Sequence, residues 1–465
     1  MVNLTSRHSE SSSIGTRKLL RPSNPGSDSE PQTITSLTRK YPDFQRRTLK
    51  TVNRWLDSKR LDDGAEGLWR VHDTLYDLES FAGQHPGGAE WIRLTKGTDI
   101  TEAFETHHIS ARPEQWLAKF KVRPAQSPRN IRLTFAENGF YRTLKKRVRQ
   151  KLSTIDTKPA RRSKLIFDTL LASSFTLAVM AINFSSYGLA TLSGLFIAWT
   201  MICSHNFLHR RDNWRMLMLN LTFFSYREWR VSHALSHHMF PNSILDLEIS
   251  FFEPFLCWLP RSSRKNVLQR FGSWFYGPFI YMAMSISEFI KRFTETASTG
   301  KNYFHVDDLI TLLLPSAMYV FSFESLVAVL NMWLFIVMIA SLCFGAIGLN
   351  AAHHHPDIVH WGDRIPPEVD FGVYQMAAII DRSDVKGSQF KALTSFGDHS
   401  LHHLFPTLDH GILPALYPVF LETCREFEVQ YREISWWQMI IGQHQQLARV
   451  EQKSLIREAI SQISN

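Results

Sequence analysis

The sequence predicts a small α+β domain followed by an all-α integral membrane domain with four transmembrane helices and a cytosolic histidine-rich cap. Three observations predict it. Short strand-like segments with turn residues lie before residue 125. Long apolar runs lie after residue 164, and most of the 20 histidines cluster at the ends of those runs or in the small domain. The chain has 465 residues, with 52 Lys plus Arg against 43 Asp plus Glu, a net charge of +9. This composition excludes collagen, a disulfide scaffold and a wholly disordered chain. There are four cysteines, none in a CxxC pair, which excludes a zinc ribbon. Cys203, Cys257, Cys343 and Cys424 read as buried or membrane-level thiols in a reducing compartment.

Residues 1–40 are rich in Ser and Arg, have no apolar core and read as a disordered cytosolic tail, not a secretory signal. Arg and Ser are also frequent in mitochondrial presequences, but Glu10, Asp28 and Glu30 count against one. A globular pattern follows over 41–124. In it, Leu68–His72 and Leu75–Leu78 read as strands with a turn at Asp73-Thr74. Residues 125–163 read as a basic linker, carrying Lys145, Lys146, Arg147, Arg149, Lys151, Lys158, Arg161 and Arg162.

Leu165–Phe184 is about 20 residues of mostly apolar character, enough to cross a bilayer core of about 30 Å. The basic run before it places the preceding side in the cytosol. Further spans read at Tyr187–Ser204, Leu309–Phe323 and Leu326–Leu349, joined in two hairpins by Ser185-Ser186 and Glu324-Ser325. The loop 205–308 carries Arg210, Arg211, Arg215, Arg227, Arg230, Arg261, Arg264 and Lys265 and is expected in the cytosol. Ser273–Ile290 is a fifth apolar stretch. Counting it as a span would put the last histidine cluster on the opposite face from the earlier ones, so it is expected to lie in the interface. Residues 411–465 read as a cytosolic helical segment that Trp436 and Trp437 anchor at the interface.

In the small domain, His85-Pro86-Gly87-Gly88 is followed by Gly97, Asp99 and Phe104, then His107 and His108. Ligation of one heme by two histidines needs two neutral imidazoles from separate elements. A Pro-Gly-Gly turn lets the backbone pass close to the ring. Counting from Gly97, Asp99 and Phe104 favours His85 and His108, with His107 as the alternative. With Trp69-Arg70-Val71-His72 and Tyr76-Asp77-Leu78, residues 67–124 resemble a cytochrome b5 domain. The resemblance implies an α+β cytochrome b5-like fold, one heme b and electron transfer.

Three histidine boxes follow in the apolar part. They are His205/His209 as HxxxH, His233/His237/His238 as HxxxHH, and His399/His402/His403 as HxxHH. Positions i, i+3 and i+4 share a helix face, so each box is expected to aim its imidazoles at one point. Eight histidines exceed what one tetrahedral zinc can use and suit two metals with open positions. Box order, spacing and spans resemble the membrane fatty acid desaturases over residues 165–410. With the heme unit, the chain resembles the cytochrome b5–desaturase fusions, among them the cytochrome b5-related proteins of animals.

The resemblance implies two non-heme iron ions fed with electrons by the fused heme, and O2 as oxidant. The substrate would be a lipid or acyl-CoA, the electron source an NADH-dependent cytochrome b5 reductase, and the location the endoplasmic reticulum membrane. Removal of two hydrogens would give a double bond. The alternatives are a lipid hydroxylase with the same centre, a non-catalytic membrane-anchored heme electron carrier, and a metal-binding regulator. No nucleic-acid partner is expected. The third box begins with His399, where many front-end desaturases have Gln, so that substrate class is not implied.

A fourth cluster, Asn350-Ala351-Ala352-His353-His354-His355, ends the last span, with His360 beyond it. Some desaturases draw a further ligand from such a place. His353 fits that context as the ninth ligand, with His354 as the fallback. Asn350 could reach a metal through water. Asp357 and Asp398 are expected either to accept from ligand N–H groups or to be surface acids.

Overall fold

The computed structural model describes residues 51–260 and 265–453. The expected N-terminal tail, Arg261, Arg264 and the end of the C-terminal segment lie outside the described residues.

Helix α1, Val52–Asp62, starts where the Thr51 hydroxyl accepts from the Arg54 N–H. Its buried residues Val52, Trp55, Leu56 and Lys59 follow helical spacing, and Lys59 reaches Asp63 at 3.0 Å. Strands β1 (Trp69–Val71) and β2 (Thr74–Tyr76) pair antiparallel with Val71 opposite Thr74. The turn therefore falls on His72-Asp73, one residue earlier than the sequence suggested, because His72 takes the left-handed conformation (φ 52°). Helices α2 (Ala89–Leu94) and α3 (Thr101–His107) follow, and strand β3 (Lys121–Pro124) completes the sheet beside β2. Trp69, Val71, Leu78, Ala82, Ile92 and Leu117 form this domain's core.

The segment expected to be a basic linker is a packed element instead. Helix α4, Phe140–Leu152, buries Phe140, Tyr141, Leu144, Lys145 and Val148 on one face and leaves the other basic residues outward. The abundant charges mask this apolar stripe in the sequence, where it is spaced by three and four residues. Just before α4, residues 133–134 pair in parallel with residues 369–370.

Among the described residues, three helices are long and apolar enough to cross a membrane. They are α5 (Lys158–Asn183), α6 (Tyr187–Leu208) and α8 (Leu326–Gly348), the last following α7 (Ser273–Thr299). The Ser186 and Ser325 hydroxyls cap α6 and α8. The expected third span, 309–323, is not a fourth such helix. It breaks into a 3₁₀ turn, Val306–Leu312, and a short helix, Leu313–Val320. Asp307, Asp308 and Pro315 explain the break, since proline removes a backbone donor and crowds the preceding turn. The broken segment still runs between the two ends of the bundle. Asn220 Nδ2 donates to the Asp307 carbonyl at one end, and Asn183 Nδ2 donates to the Phe321 carbonyl at the other. Helix α7 contains the apolar stretch at 273–290 and is not one of the three spans. Glu288, Lys291, Arg292 and Glu295 populate its second half, while Phe275, Phe279, Phe289 and Phe293 are exposed along it.

Glu105 on α3 joins the small domain to α4. Its buried carboxylate accepts from Lys145 at 2.9 Å, from Arg142, and from His72 at 2.8 Å. Burial alone would raise the Glu105 carboxyl; the His72, Lys145 and Arg142 contacts overcome this and hold it well below the usual carboxylate range. A depressed carboxyl stabilises the fold above its unfolded pKa of about 4.3, and that stability fades as pH falls from there toward the folded value. Glu105→Gln is therefore expected to flatten the acid limb of thermal stability below about pH 4.3. Glu105→Ala, which strands the buried Lys145, should cost about 3 kcal/mol near neutral pH. Differential scanning calorimetry across pH measures both, and an unchanged acid limb in the Gln variant would contradict the assignment.

Candidate metal centre

The box histidines come from four elements. Helix α6 carries His205 in its last turn, with His209 as its C-cap. His233 and His237 lie in a π-helical segment, Arg230–His237, where the His238 N–H bonds the His233 carbonyl at 2.8 Å. His353 follows α8, and His399, His402 and His403 lie on α9 (His399–Leu404). All are buried.

Their ring nitrogens gather into two groups, each with its ligand atoms within 4.8 Å of one another. One holds His205, His209, His233, His238 and His402; the other holds His237, His353, His399 and His403. Boxes two and three are therefore divided between the groups, where the sequence reading aimed each box at a single point. The wide π turn is the reason in box two. It stacks residues five apart, so His238 meets His233 at 3.0 Å between Nε2 atoms and His237 turns to the second group. In box three, His399 and His403 share a face and His402 takes the other.

The Nε2–Nε2 distances fit a bound metal. His402 and His209 lie 2.9 and 3.1 Å from His205, and His399 and His403 lie 2.8 and 3.1 Å from His353. Metal–nitrogen bonds of about 2.1 Å at right angles place neighbouring nitrogens about 3 Å apart. Several opposite ring nitrogens meet acceptors that leave Nε2 to face inward. His233 Nδ1 meets Glu248 at 2.8 Å, His237 Nδ1 meets Asp246 at 2.9 Å and His403 Nδ1 meets Gln375 at 3.0 Å. The Ala378 and Phe396 carbonyls serve His353 and His399, each at 3.1 Å. Burial works against a charge on His237, but Asp246 and Glu248 carry it up to about 9. Burial works the other way on Glu248, and His233 and His237 hold its carboxyl down at about 2.

The fourth cluster resolves residue by residue. His353 joins the four-histidine group, while the His354 ring stacks on Trp258 at 4.0 Å. Asn350 Nδ2 donates to the Ala346 carbonyl. Neither carboxylate expected behind the ligands touches a ligand ring. Asp398 accepts from Tyr417 at 3.0 Å, and Asp357 lies 3.5 Å from His355. Sequence adjacency misled there, because Asp398 caps the helix in the left-handed conformation with its carboxylate turned to Tyr417, and Asp357 lies in a turn beside His355. Asp246, Glu248 and Gln375 were missed. The available signal was an Asp-x-Glu pair just beyond box two. His410 was missed as well, and its ring lies 4.5 Å from that of His402.

In the small domain, His85 and His108 face each other with ring centroids 6.1 Å apart. Two metal–nitrogen bonds of about 2 Å with the ring radii added give roughly that spacing, so the pair fits a heme iron. Their Nδ1 atoms bond the Gly88 and Phe104 carbonyls, each at 2.9 Å. His107 turns away, and its ring lies 6.3 Å from that of His209. Burial pulls both His107 and His108 down to about 4, so both are neutral near pH 7.

The small domain presents this side to the boxes. The Asp212 N–H, three residues past His209, donates to the Gly87 carbonyl at 3.3 Å. Glu90 pairs with Arg230 at 2.6 Å and with Arg227, and Arg230 also pairs with Asp212. Gly88 adopts φ 121° here, and a Cβ on it would collide with the Asp212 carboxylate.

Comparisons with known proteins place these features. The family model described as Fatty acid desaturase matches residues 182–435, and that described as Cytochrome b5-like Heme/Steroid binding domain matches residues 54–126. A cytochrome b5-related protein of Drosophila melanogaster is 49% identical over 90% of this chain and 96% of its own length. One from Drosophila virilis is 51% identical over 29% of this chain and 94% of its own length. An acyl-lipid (8-3)-desaturase of Mortierella alpina is 25% identical over 79% of this chain and 90% of its own length. No solved structure gives a significant match.

The geometry separates two neighbouring histidines. His353→Ala is expected to reduce metal retained by the purified protein, whereas His354→Ala retains the wild-type content, as read by elemental analysis. Glu248→Gln, which removes a carboxylate behind His233, should weaken metal affinity about 10–100-fold in a chelator competition. Equal metal loss from the two histidine variants would contradict the grouping.

Proposed function

Because the chain belongs to the fatty acid desaturase family and carries a fused cytochrome b5-like domain, we propose that it is a membrane lipid oxidoreductase that desaturates fatty acyl chains. The observation that carries this reading is the pair of buried histidine groups at the end of an apolar cavity. Phe224, Phe251, Met284, Phe344 and Phe396 line the cavity, which reaches His233, His237, His353 and His399. Glu228, Glu288 and Lys291 supply its polar lining away from the histidines. Such a wall excludes water and suits a hydrocarbon chain.

His205, His209, His233, His238 and His402 would hold one iron, and His237, His353, His399 and His403 the second. His85 and His108 would hold heme b. Two irons supplied with O2 and electrons provide the oxidant for an unactivated C–H. This chain's residues do the remaining work. Asp246, Glu248 and Gln375 fix ring orientation and keep the Nδ1 protons outward. The aromatic cavity wall holds the acyl chain beside the histidines, and its exclusion of water protects the reacting carbon.

The basic residues at the start of α5 and after α6 support a cytosolic position for the boxes and the small domain. There an NADH-dependent cytochrome b5 reductase would reach the heme, with the spans in the endoplasmic reticulum membrane. The substrate class extends to acyl-lipids, as the name of the Mortierella alpina relative suggests.

Metal analysis of detergent-purified protein beside its visible spectrum tests the reading. One heme with about two further irons per chain is expected. Product analysis should then show loss of two hydrogens from an acyl chain. Gain of one oxygen would transfer the reading to a hydroxylase, and a full heme complement without further iron would leave an electron carrier. Single variants should separate the two centres. His237→Ala is expected to abolish desaturation and keep the heme spectrum. His85→Ala is expected to keep the non-heme iron and lose turnover driven through the reductase.

A further inference from the structure

Two redox sites in one chain need a connection, and His107 is placed to make it. His107 follows the α3 turn directly into His108, the residue facing His85, and its own ring points the opposite way. That ring lies 5.5 Å from Trp91 and 6.3 Å from the ring of His209. Its Nδ1 is held by the Ala103 carbonyl at 3.0 Å. Its Nε2 is buried without a hydrogen-bond partner among the described residues, and so is the Nδ1 of His209. Two unpaired imidazole nitrogens therefore face one buried junction, one from each domain. Buried polar atoms are rarely left this way without a functional cause or a bridging water.

The junction is rigidly framed. Arg230 lies over the Trp91 ring at 4.8 Å while pairing with Glu90 and Asp212. The cavity offers a contrast. Its lining takes in His237, His353 and His399 of the four-histidine group but only His233 of the other, and His209 is not part of it.

We propose, resting on the functional reading above, that His107 relays electrons from the heme to the five-histidine group through His209, while the acyl chain meets the centre on the four-histidine side. One electron leaves the ferrous heme, which becomes ferric, and one ferric ion of the five-histidine group becomes ferrous. No bond forms or breaks, and the reductase restores the ferrous heme. Tunnelling falls steeply with each gap between packed atoms. Without the His107 ring, the route from the His108 backbone toward His209 would lose its last packed step.

The test uses full-length protein loaded with heme and iron. The heme is reduced rapidly without oxygen, and its reoxidation is followed by absorbance in stopped flow. His107→Leu is expected to slow reoxidation about tenfold or more, with the wild-type heme spectrum, midpoint potential and iron content retained. His107→Gln keeps a polar group of similar reach and should lie nearer the wild-type rate; it is read by the same criteria if the Leu variant fails to fold. In iron-free protein the variants and wild type should behave alike. A wild-type rate in His107→Leu overturns the relay. So does slowing accompanied by a shifted potential or lost iron, which would make the residue a structural support. Wild-type heme that reoxidises no faster with iron than without would instead overturn the functional reading itself.

Discussion

Nine imidazoles buried around two points are the constraint on which this structure depends. Neutral histidine has one donor and one acceptor nitrogen, and a metal needs the acceptor. Burying so many rings is tolerable only if the outward nitrogens find partners and the inward ones share a cation. Asp246, Glu248, Gln375 and two backbone carbonyls meet part of that demand. They come from chain segments more than a hundred residues apart, so the groups cannot form until distant parts of the sequence have packed together. The π turn in box two follows from the same requirement. A regular helix would send His233 and His238 to different sides, and the extra residue in the turn realigns them.

On the proposed reading, fusion would change how such a centre is supplied. A separate electron carrier must find its partner by diffusion, whereas a tethered one meets it at an effective concentration set by its linker. Here the linker is itself structured. Helix α4 pairs with Glu105 on one side, and Tyr141 donates to the Glu105 and Leu404 carbonyls at 3.3 and 3.2 Å. One phenol thus touches the end of the heme-side helix and the end of the third histidine box.

The chemistry-bearing residues were the most legible part of the sequence, because metal ligation restricts both residue type and spacing. The boxes and the His-Pro-Gly-Gly turn could be read directly and His353 only through the resemblance, and the structure brings the box histidines and His353 into two groups. The broken segment at 306–320 was not legible by counting apolar residues, because Pro315 and the two aspartates act on backbone hydrogen bonding, which hydropathy ignores. The helical linker was hidden by its charge, and the supporting acids by folding. Asp246 and Glu248 reach their histidines only through the loop after box two, whereas Asp357 and Asp398 merely stood beside histidines in sequence. Counting from Gly97, Asp99 and Phe104 favoured His108 over His107, and the side-chain directions agree: His108 faces His85 while His107 turns toward His209.

The salt-bridged seat of the small domain has a consequence for the order of assembly. Its partners, Asp212, Arg227 and Arg230, are all made early in the chain, while the first histidine group is unfinished until His402 is made. Because N-terminal domains generally fold first during synthesis, the heme side can settle onto boxes one and two while box three is still on the ribosome. The third box would then close both histidine groups last, after the small domain has taken its seat.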